Sequence, residues 1–179
     1  MKTIIQSIRA LLVLTMLTGI VYPLAVTGIA RVAFPRQADG SLIYAGDKLV
    51  GSMLLAQKFD DARYFWSRPS AADFATVASG ASNKGPTSAD LAKAVAERRA
   101  KFGADAPGEM LTASASGLDP HISPKAARQQ AARISSERKL PAEKVAALIS
   151  QHTDPPQWGI FGEPRVNVFA LNLALDALH

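Results

Sequence analysis

The hydrophobic pattern of the chain changes near residue 30. Residues 10–30 contain no charged side chain and lie between Arg9 and Arg31. With about 1.5 Å of rise per residue, a helix of this length is about 31 Å long, which matches the hydrocarbon core of a bilayer. The pattern predicts a short N-terminus (residues 1–9), one transmembrane helix (residues 10–30) and a separate domain (residues 31–179).

A cleaved signal peptide is the alternative interpretation of this segment. Lys2 and Arg9 supply the basic start of such a peptide, and Gly28-Ile29-Ala30 has the small-x-small pattern of a cleavage site. However, the apolar run is longer than the usual signal-peptide core of about 7–15 residues, and Pro23 lies within it. We therefore expect an uncleaved anchor.

The charges that flank the span indicate its orientation. Lys2, Arg9 and the amino terminus lie before it, whereas Arg31 and Arg36 follow it. Positively charged flanks favour the cytoplasmic side. This small excess predicts a cytoplasmic N-terminus and an outward-facing domain.

Two features inside the span have structural consequences. Pro23 has no N–H to donate to the Gly19 carbonyl, so a kink is expected there. Several small side chains share about a third of the helical circumference, where another helix could approach closely. A lipid-facing anchor of ordinary composition is the alternative. The residues of this small face are Thr15, Thr18, Gly19 and Ala25.

Beyond residue 31 the chain has the pattern of a folded domain, with hydrophobic positions at strand or helix spacing between turn signals. The order of its elements lacks regular βαβ alternation, so we predict an α+β fold with a small sheet. The predicted elements are a hairpin (41–44 and 48–55), a helix over 88–102, a helix over 124–138, a helix after Pro141, a strand over 165–171 and a terminal helix over 172–178.

Capping residues support the three middle helices. Thr87 is the predicted N-cap of the first, and Gly103 is its stop. Ser123 is the predicted N-cap of the second, with Pro124 at its first position. The third helix is expected to bury its apolar face, which consists of Val145, Leu148 and Ile149.

The composition narrows the chemistry. The chain has no cysteine, which excludes disulfide bonds, zinc–thiolate sites, thiol catalysis and a lipoprotein anchor. Beyond residue 30 it carries 18 basic and 15 acidic residues, a net charge of only +3. No cluster of Lys and Arg is interleaved with aromatic residues, so no nucleic-acid partner is expected. The histidines are not spaced as metal ligands, so no metal site is expected at His121, His152 or His179.

Known catalytic motifs are missing from the sequence. It lacks the phosphate-binding G-x-x-x-x-G-K-[ST], the dinucleotide-binding G-x-G-x-x-G, the zinc-binding H-E-x-x-H and the nucleophile motif G-x-S-x-G. The chain therefore has no recognisable means of hydrolysing a nucleotide by itself, and we expect no catalytic residue in it.

One stretch, residues 112–124, groups Ser114, Ser116, Asp119, His121 and Ser123. A hydrolase needs a serine activated by His and a carboxylate that orients the His, but these groups normally come from distant segments. Local hydroxyls, Asp-Pro and Ser-Pro more often form turns and caps. We expect structural roles here, and a membrane-tethered periplasmic hydrolase that uses Asp119, His121 and a nearby Ser is the alternative.

Five motifs occur in an order typical of a known family. They are Gly51-Ser52 to Gln57-Lys58-Phe59, Tyr64-Phe65 with Arg68-Pro69-Ser70-Ala71, Ser79-Gly80-Ala81-Ser82-Asn83 with Gly85-Pro86-Thr87, residues 112–124, and Gly162 to Asn167 with Leu171 to Asp176. Together they resemble the C subunit of the Kdp potassium-transporting P-type ATPase over nearly the whole chain. Ala81 and Leu55-Ala56 are small departures from the family's usual residues.

The resemblance implies a non-catalytic subunit of a bacterial inner-membrane complex that imports K⁺ at the expense of ATP. Its expected partners are the A subunit, which holds the ion pathway, the B subunit, which is the P-type ATPase, and membrane lipid. With the flanking charges, it implies a single-pass protein whose C-terminal domain is periplasmic. The motif residues for which it implies structural roles are Gln57, Arg68, Ser82, Asn83, Ser114, Asp119, His121, Arg165, Asn167 and Asn172.

The family is also described as a catalytic chaperone that raises the ATP affinity of the B subunit. ATP with Mg²⁺ is therefore a cofactor by family description only, and no residue here is assigned to it. An outward-facing domain cannot touch cytoplasmic ATP, so any such effect must pass through the span or through neighbouring subunits.

Overall fold

The computed structural model describes residues 2–178, which form two compact units that divide between Val50 and Gly51. The first unit starts with a long helix in three parts, which are α1 (Lys2–Met16), a π-helical turn (Leu17–Val21) and α2 (Tyr22–Ala33). A short helix, α3 (Pro35–Ala38), and the strand β1 (Leu42–Ala45) follow. In the described part of the chain, Lys2–Ala33 is the one helix long and apolar enough to cross a membrane by length and composition.

The π-helical turn lies where the sequence predicts a kink. Pro23 cannot donate a hydrogen bond to Gly19, and just before it the Tyr22 N–H bonds the Leu17 carbonyl five residues back. The Thr18 hydroxyl donates to the Leu14 carbonyl, and the Thr27 hydroxyl donates to the Pro23 carbonyl, each one turn earlier and each at 2.7 Å. The missing proline N–H is therefore accommodated by a wider turn, one of the recognised causes of helix kinks.

The predicted hairpin is confirmed by β1 and β2 (Lys48–Ser52), which form a two-stranded sheet. The second strand is shorter than predicted, because it ends at Ser52 instead of Leu55. The Leu54 N–H bonds the Ser52 hydroxyl at 3.1 Å, which starts a turn at that point.

The second unit contains the remaining elements and is α+β, as predicted. In chain order these are α4 (Ala89–Phe102), α5 (Gly108–Leu111), β3 (His121–Ile122), α6 (Pro124–Arg138), α7 (Ala142–Gln151), β4 (Thr153–Asp154), β5 (Arg165–Asn167) and α8 (Val168–Asp176). The sheet is antiparallel with the order β3-β5-β4, and His121 pairs with Asn167 while Thr153 pairs with Val166.

The capping predictions are confirmed at three places and wrong at one. The N-cap of α6 is Ser123, whose hydroxyl accepts from the Ala126 N–H at 3.1 Å. Gly103 ends α4 at a φ of +96°, and α7 begins after Pro141. The N-cap of α4 is Ser88 and not Thr87, because the Ser88 hydroxyl reaches the Leu91 N–H.

The predicted strand over 165–171 is wrong beyond Asn167. The Asn167 side chain accepts from the Ala170 N–H at 3.0 Å and so caps α8 directly after the strand. The apolar residues that follow are buried on a helix instead of alternating on a strand.

The core of the second unit lies between the sheet, α6, α7 and α8, and it confirms the predicted burial of the α7 face. Its largest fully buried apolar side chains are Phe65, Met110, Ile122, Ile134, Ile149, Leu171, Leu175, Val145, Val166 and Val168.

Candidate functional site

Side chains of two helices hydrogen-bond the backbone of residues 62–69, here called the central segment, which begins in a turn and continues without regular secondary structure from Phe65. The central segment belongs to no strand, so its backbone groups need other partners. Asn172, on α8, accepts from the Phe65 N–H at 2.8 Å and donates to the Phe65 carbonyl at 2.9 Å. Gln130, on α6, does the same for Trp66 at 2.8 and 3.1 Å. These two amide pairs replace the ladder that a neighbouring strand would supply.

Two arginines extend this coordination. Arg133 donates to the carbonyls of Ala62 and Tyr64, and its guanidinium stacks 3.7 Å from the centre of the Trp66 ring. Burial lowers the pKa of Arg133 from its ordinary value. Arg138 donates to the Arg63 carbonyl at 2.8 Å and pairs with Asp176 at 2.6 Å.

The start of the central segment is held by a turn. The Asp61 carboxylate accepts from the side chain and the backbone of Arg63, and these bonds lower the pKa of Asp61 to about 2. The Trp66 indole N–H donates to the Asp61 carbonyl at 3.0 Å.

The Asp119–His121 cluster is built around an ion pair with Arg68. Arg68 Nη1 donates to Asp119 Oδ2 at 3.0 Å, and Asp119 Oδ1 accepts from the His121 backbone N–H at 3.0 Å. His121 Nδ1 is farther away, 3.8 Å from Asp119 Oδ1. Burial, and then the charge of Arg165, lower the pKa of His121 below its ordinary 6.5. His121 is therefore neutral at pH 7, and Arg68 is the cation that balances Asp119.

The serines of residues 112–124 serve local structure. Ser114 is buried, its hydroxyl is 3.1 Å from that of Ser116, and its N–H donates to the Pro69 carbonyl. Ser123 caps α6, and its hydroxyl also donates to Glu109. Within residues 2–178, no serine hydroxyl hydrogen-bonds the His121 ring. The structure thus gives no support to the serine hydrolase alternative, which requires that bond.

The motif residues near the C-terminus join the sheet to neighbouring segments. Asn167, besides capping α8, donates to the Met53 carbonyl at 2.8 Å. Arg165 is exposed and lies 3.7 Å from the Asp154 carboxylate.

The other motif residues lie apart from Asp119. The Gln57 amide packs against Gly51, where an added Cβ would come within 2.4 Å of Gln57 Oε1. Ser82 and Asn83 are exposed in the loop before α4. The start of that loop touches residues 112–124 at Gly117, which has a φ of +70° and whose Cβ position is 3.1 Å from the Gly80 carbonyl.

No group of three or more metal-ligating side chains occurs within residues 2–178. His152 Nδ1 bonds the Leu148 carbonyl at 3.0 Å. His179, at which no metal site is expected from the sequence, lies outside the described residues.

Sequence reasoning missed Gln130, Glu109, Arg133 and Arg138. A signal existed for Gln130, which occupies the apolar face of α6 with Ala127 and Ile134 at helical spacing. A polar residue on such a face needs a buried partner. The partner of Gln130 is 64 residues away in the chain, and no local pattern shows it.

We expect Asp119→Asn to lower the free energy of unfolding by about 1.5 kcal/mol, because a charge-assisted bond to a largely buried arginine is lost. Oδ1 of the new side chain still accepts from His121. Thermal unfolding of the full chain in detergent at pH 8 measures this, since His121 is then neutral in the folded and unfolded states. The matched control is Asp154→Asn, which removes an exposed pair of about 0–1 kcal/mol. Equal losses in both variants would contradict the structural role of Asp119.

Comparison with known proteins shows that the chain is similar to the members of one protein family. Residues 4–177 match the family model described as "KdpC: K+-transporting ATPase, c chain". The chain is 51% identical to the potassium-transporting ATPase KdpC subunit of Dechloromonas aromatica, with 99% of each chain covered. It is 50% identical to the KdpC subunit of Polynucleobacter asymbioticus, with 98% and 99% covered. For that of Variovorax paradoxus the identity is 53%, with 92% and 90% covered.

Proposed function

The chain belongs to the KdpC family of K⁺-transporting ATPase c chains, and from this membership we propose that it is a non-catalytic subunit that supports assembly of a potassium-uptake ATPase. The observation that carries the proposal is the match over residues 4–177, which includes both the apolar helix and the folded domain. ATP hydrolysis then takes place in another chain, which agrees with the missing phosphate-binding loop.

The contacts of the motif residues support an architectural role. Asp119, Asn167 and Asn172 bond protein groups, and these bonds join segments that are far apart in the sequence. Side chains engaged in this way stabilise the domain, and no serine within residues 2–178 is activated by a hydrogen bond to the His121 ring. The proposed partners are a channel-like A subunit and a P-type B subunit of the same complex.

We place the chain in the bacterial inner membrane with a cytoplasmic N-terminus and a periplasmic domain. The proposal depends on Lys2 and Arg9, which lie in the first turns of the helix Lys2–Ala33, before its uncharged run. A membrane-impermeant thiol label on a cysteine introduced at Ser88 tests it. We expect this cysteine to be labelled in spheroplasts. Labelling only after the inner membrane is broken would indicate the opposite orientation.

The experiment that tests the function is copurification from native membranes. A tag on the C-terminus should recover two larger membrane proteins with this chain in a stable complex. Recovery of the chain alone, under conditions that keep other membrane complexes intact, would contradict the proposed role in assembly.

The small face of the span is proposed to pack on a neighbouring subunit. Thr15, Thr18 and Gly19 lie before or within the π-helical turn, and no described residue buries them. Because the π-helical turn changes the rotation per residue, Ala25 is less closely aligned with these three residues on one helix face than an ideal α-helix predicts.

Gly19→Leu is expected to reduce recovery of the complex severalfold, because a large side chain prevents close approach of two helix backbones. The yield of copurified partners in mild detergent measures this. Gly28→Leu is the control, since Gly28 lies in the same span but outside the small face. Unchanged recovery with Gly19→Leu would show that this face contacts lipid.

We also propose that this chain alone does not hold ATP tightly. Full-length protein in detergent is expected to bind ATP only weakly and without dependence on Mg²⁺, through scattered basic charge. Such binding should fade between 0.1 and 1 M salt, as the Debye length falls from about 10 to about 3 Å. Calorimetric titration at both salt concentrations tests this, and tight, salt-insensitive binding would contradict it.

A further inference from the structure

The connection between β4 and β5, residues 155–162, is here called the aromatic tip. Its three large apolar side chains are mostly exposed, at 82% for Trp158, 78% for Ile160 and 61% for Phe161. The rings of Trp158 and Phe161 meet edge to face with their centres 6.0 Å apart, so they form one apolar surface. An exposed apolar cluster of this kind marks a contact surface.

The backbone of the aromatic tip is a tight turn that holds these side chains in place. The Ile160 N–H donates to the Gln157 carbonyl at 3.2 Å, and the backbones of Gln157 and Phe161 exchange two bonds, at 2.8 and 3.0 Å. The central residues, Trp158 and Gly159, have φ values of +54° and +75°, the pattern of a type I′ turn. Asn followed by Gly is preferred in such a turn, and a bulky side chain at positive φ is unfavourable. Turn chemistry therefore does not account for Trp158, which indicates a contact outside the loop.

The polar groups of the aromatic tip favour a lipid surface over a protein surface. Residues 155–162 contain no charged side chain. Two of them are prolines, which have no N–H, and four others donate their backbone N–H within the tip, namely Gln157, Gly159, Ile160 and Phe161. A protein interface normally contains about one hydrogen bond per 100–200 Å², for which the tip offers few groups, whereas a bilayer admits backbone whose polar groups are satisfied internally. Tryptophan suits the membrane boundary, because its ring is apolar and its indole N–H can reach water.

The base of the aromatic tip limits how deeply it can enter a bilayer. Asp154 and Arg165 form an exposed ion pair at this base, 3.7 Å apart, and charged groups stay in water. Trp158 is four residues beyond Asp154, which is a reach of at most about 13 Å at about 3.3 Å per residue. This reach crosses a headgroup layer of about 5–8 Å but not a hydrocarbon core of about 30 Å.

The chain itself brings the tip to a bilayer. The proposed anchor, Lys2–Ala33, keeps the folded domain attached to a membrane. A small apolar surface that would bind a membrane weakly from free solution then acts at a high local concentration of lipid. This reasoning holds for either orientation of the anchor, since the domain lies at one face of the same bilayer in both.

We propose that the aromatic tip inserts Trp158, Ile160 and Phe161 into the headgroup layer of the bilayer that holds the chain's own span. The inference rests on the proposed membrane anchor and does not depend on the proposed partner subunits. A second membrane contact of this kind limits the rotation of the domain about its span, so that the domain presents one face to its neighbours.

The test uses nitroxide spin labels on the full-length chain in phosphatidylcholine vesicles. The chain has no cysteine, so Ile160→Cys carries a single label at the tip, and Val77→Cys carries the control label at a fully exposed residue of the loop before α4. Electron paramagnetic resonance measures collisions of each label with oxygen, which concentrates in lipid, and with a water-soluble nickel chelate. The ratio of oxygen to nickel collisions should be at least threefold higher at residue 160 than at residue 77.

A second substitution tests the role of Trp158. Trp158→Asn in the chain labelled at residue 160 keeps the turn, because Asn before Gly suits positive φ, and should bring the ratio within twofold of the control. Trp158→Phe should keep most of the difference. An unchanged ratio in Trp158→Asn, with the fold intact by circular dichroism, would overturn the proposal. Added phosphatidylglycerol should have no effect, since the tip is uncharged, and a high ratio only in its presence would also overturn it.

Flotation of the same vesicles on a density gradient separates this proposal from the anchor on which it rests. Chain that does not float would contradict the anchor and, with it, the insertion of the tip. Chain that floats while both labels give the same ratio would overturn the insertion alone. A label at residue 160 that stays open to nickel in vesicles but is shielded in the copurified complex would assign the tip to a protein contact and overturn the lipid assignment.

Discussion

Asn172→Asp is expected to lower the free energy of unfolding by about 3–5 kcal/mol at neutral pH, the cost of an unpaired buried charge. Asn172 is 2% exposed, and its amide oxygen accepts from the Phe65 N–H while its amide nitrogen donates to the Phe65 carbonyl. The substitution keeps the size and one acceptor but replaces the donor with an oxygen that faces the Phe65 carbonyl. Repulsion between these oxygens and the buried charge act together on the core of the second unit.

The measurement is urea unfolding of the full chain in detergent, followed by near-ultraviolet circular dichroism. The matched control is Asn83→Asp, which adds the same charge at an exposed loop residue whose φ of 52° suits either side chain. This control should change stability by less than about 0.5 kcal/mol.

The pH dependence gives the Asn172 prediction a second readout. A buried carboxyl group takes up a proton more readily than an exposed one, so the deficit of Asn172→Asp relative to the native chain should shrink as the pH falls from 7 towards 4. A deficit below 1 kcal/mol at pH 7, or one that does not vary with pH, would show that water reaches this site and that the Phe65 backbone does not depend on Asn172.

Helices were predictable where their ends are encoded locally. Ser123 followed by Pro124 marks the start of α6, and Gly103 supplies the positive φ that ends α4. Thr87 and Ser88 can both cap a helix, and only the geometry of the preceding loop decides which hydroxyl faces the first turn. Such adjacent caps cannot be separated from sequence pattern alone.

The strand over 165–171 failed for a different reason. Val166, Val168 and Phe169 all have high β-propensity and are all buried. However, the strand ends at Asn167, so Val166 lies on the strand while Val168 and Phe169 lie on the helix. Asn167 decides that junction by capping α8 while its amide also reaches Met53. A short apolar run contains no periodicity that distinguishes the two states.

The candidate site was predictable in character but not in its main contacts. The Asx-type bond that the His121 N–H donates to the Asp119 carboxylate spans two residues, so turn chemistry predicts it. The bond from Arg68 to Asp119 spans 51 residues, and the amide pairs span 64 and 107. Contacts at these separations depend on the three-dimensional fold, and one sequence contains no signal that joins their ends.

Gln130→Ala is expected to lower the free energy of unfolding by about 2–3 kcal/mol, because it removes the buried Gln130 amide and leaves the N–H and carbonyl of the half-buried Trp66 without partners. It also removes an acceptor for Arg133, which donates to Gln130 Oε1 at 2.8 Å. Gln129→Ala, one position earlier on α6, removes a single bond to the Phe102 carbonyl and should cost only about 0.5–1.5 kcal/mol.

Because Phe65 and Trp66 are consecutive, their amide pairs should also depend on each other. Once Asn172→Ala releases Phe65, the central segment can move towards water, and Gln130→Ala then removes contacts that are already weakened. The double variant should therefore lose less stability than the sum of the single losses, with a coupling of about 0.5–3 kcal/mol for residues that share one hydrogen-bonded network. Strict additivity would mean that α6 and α8 hold Phe65 and Trp66 independently. The two amide pairs would then be separate contacts and not one hydrogen-bonded network.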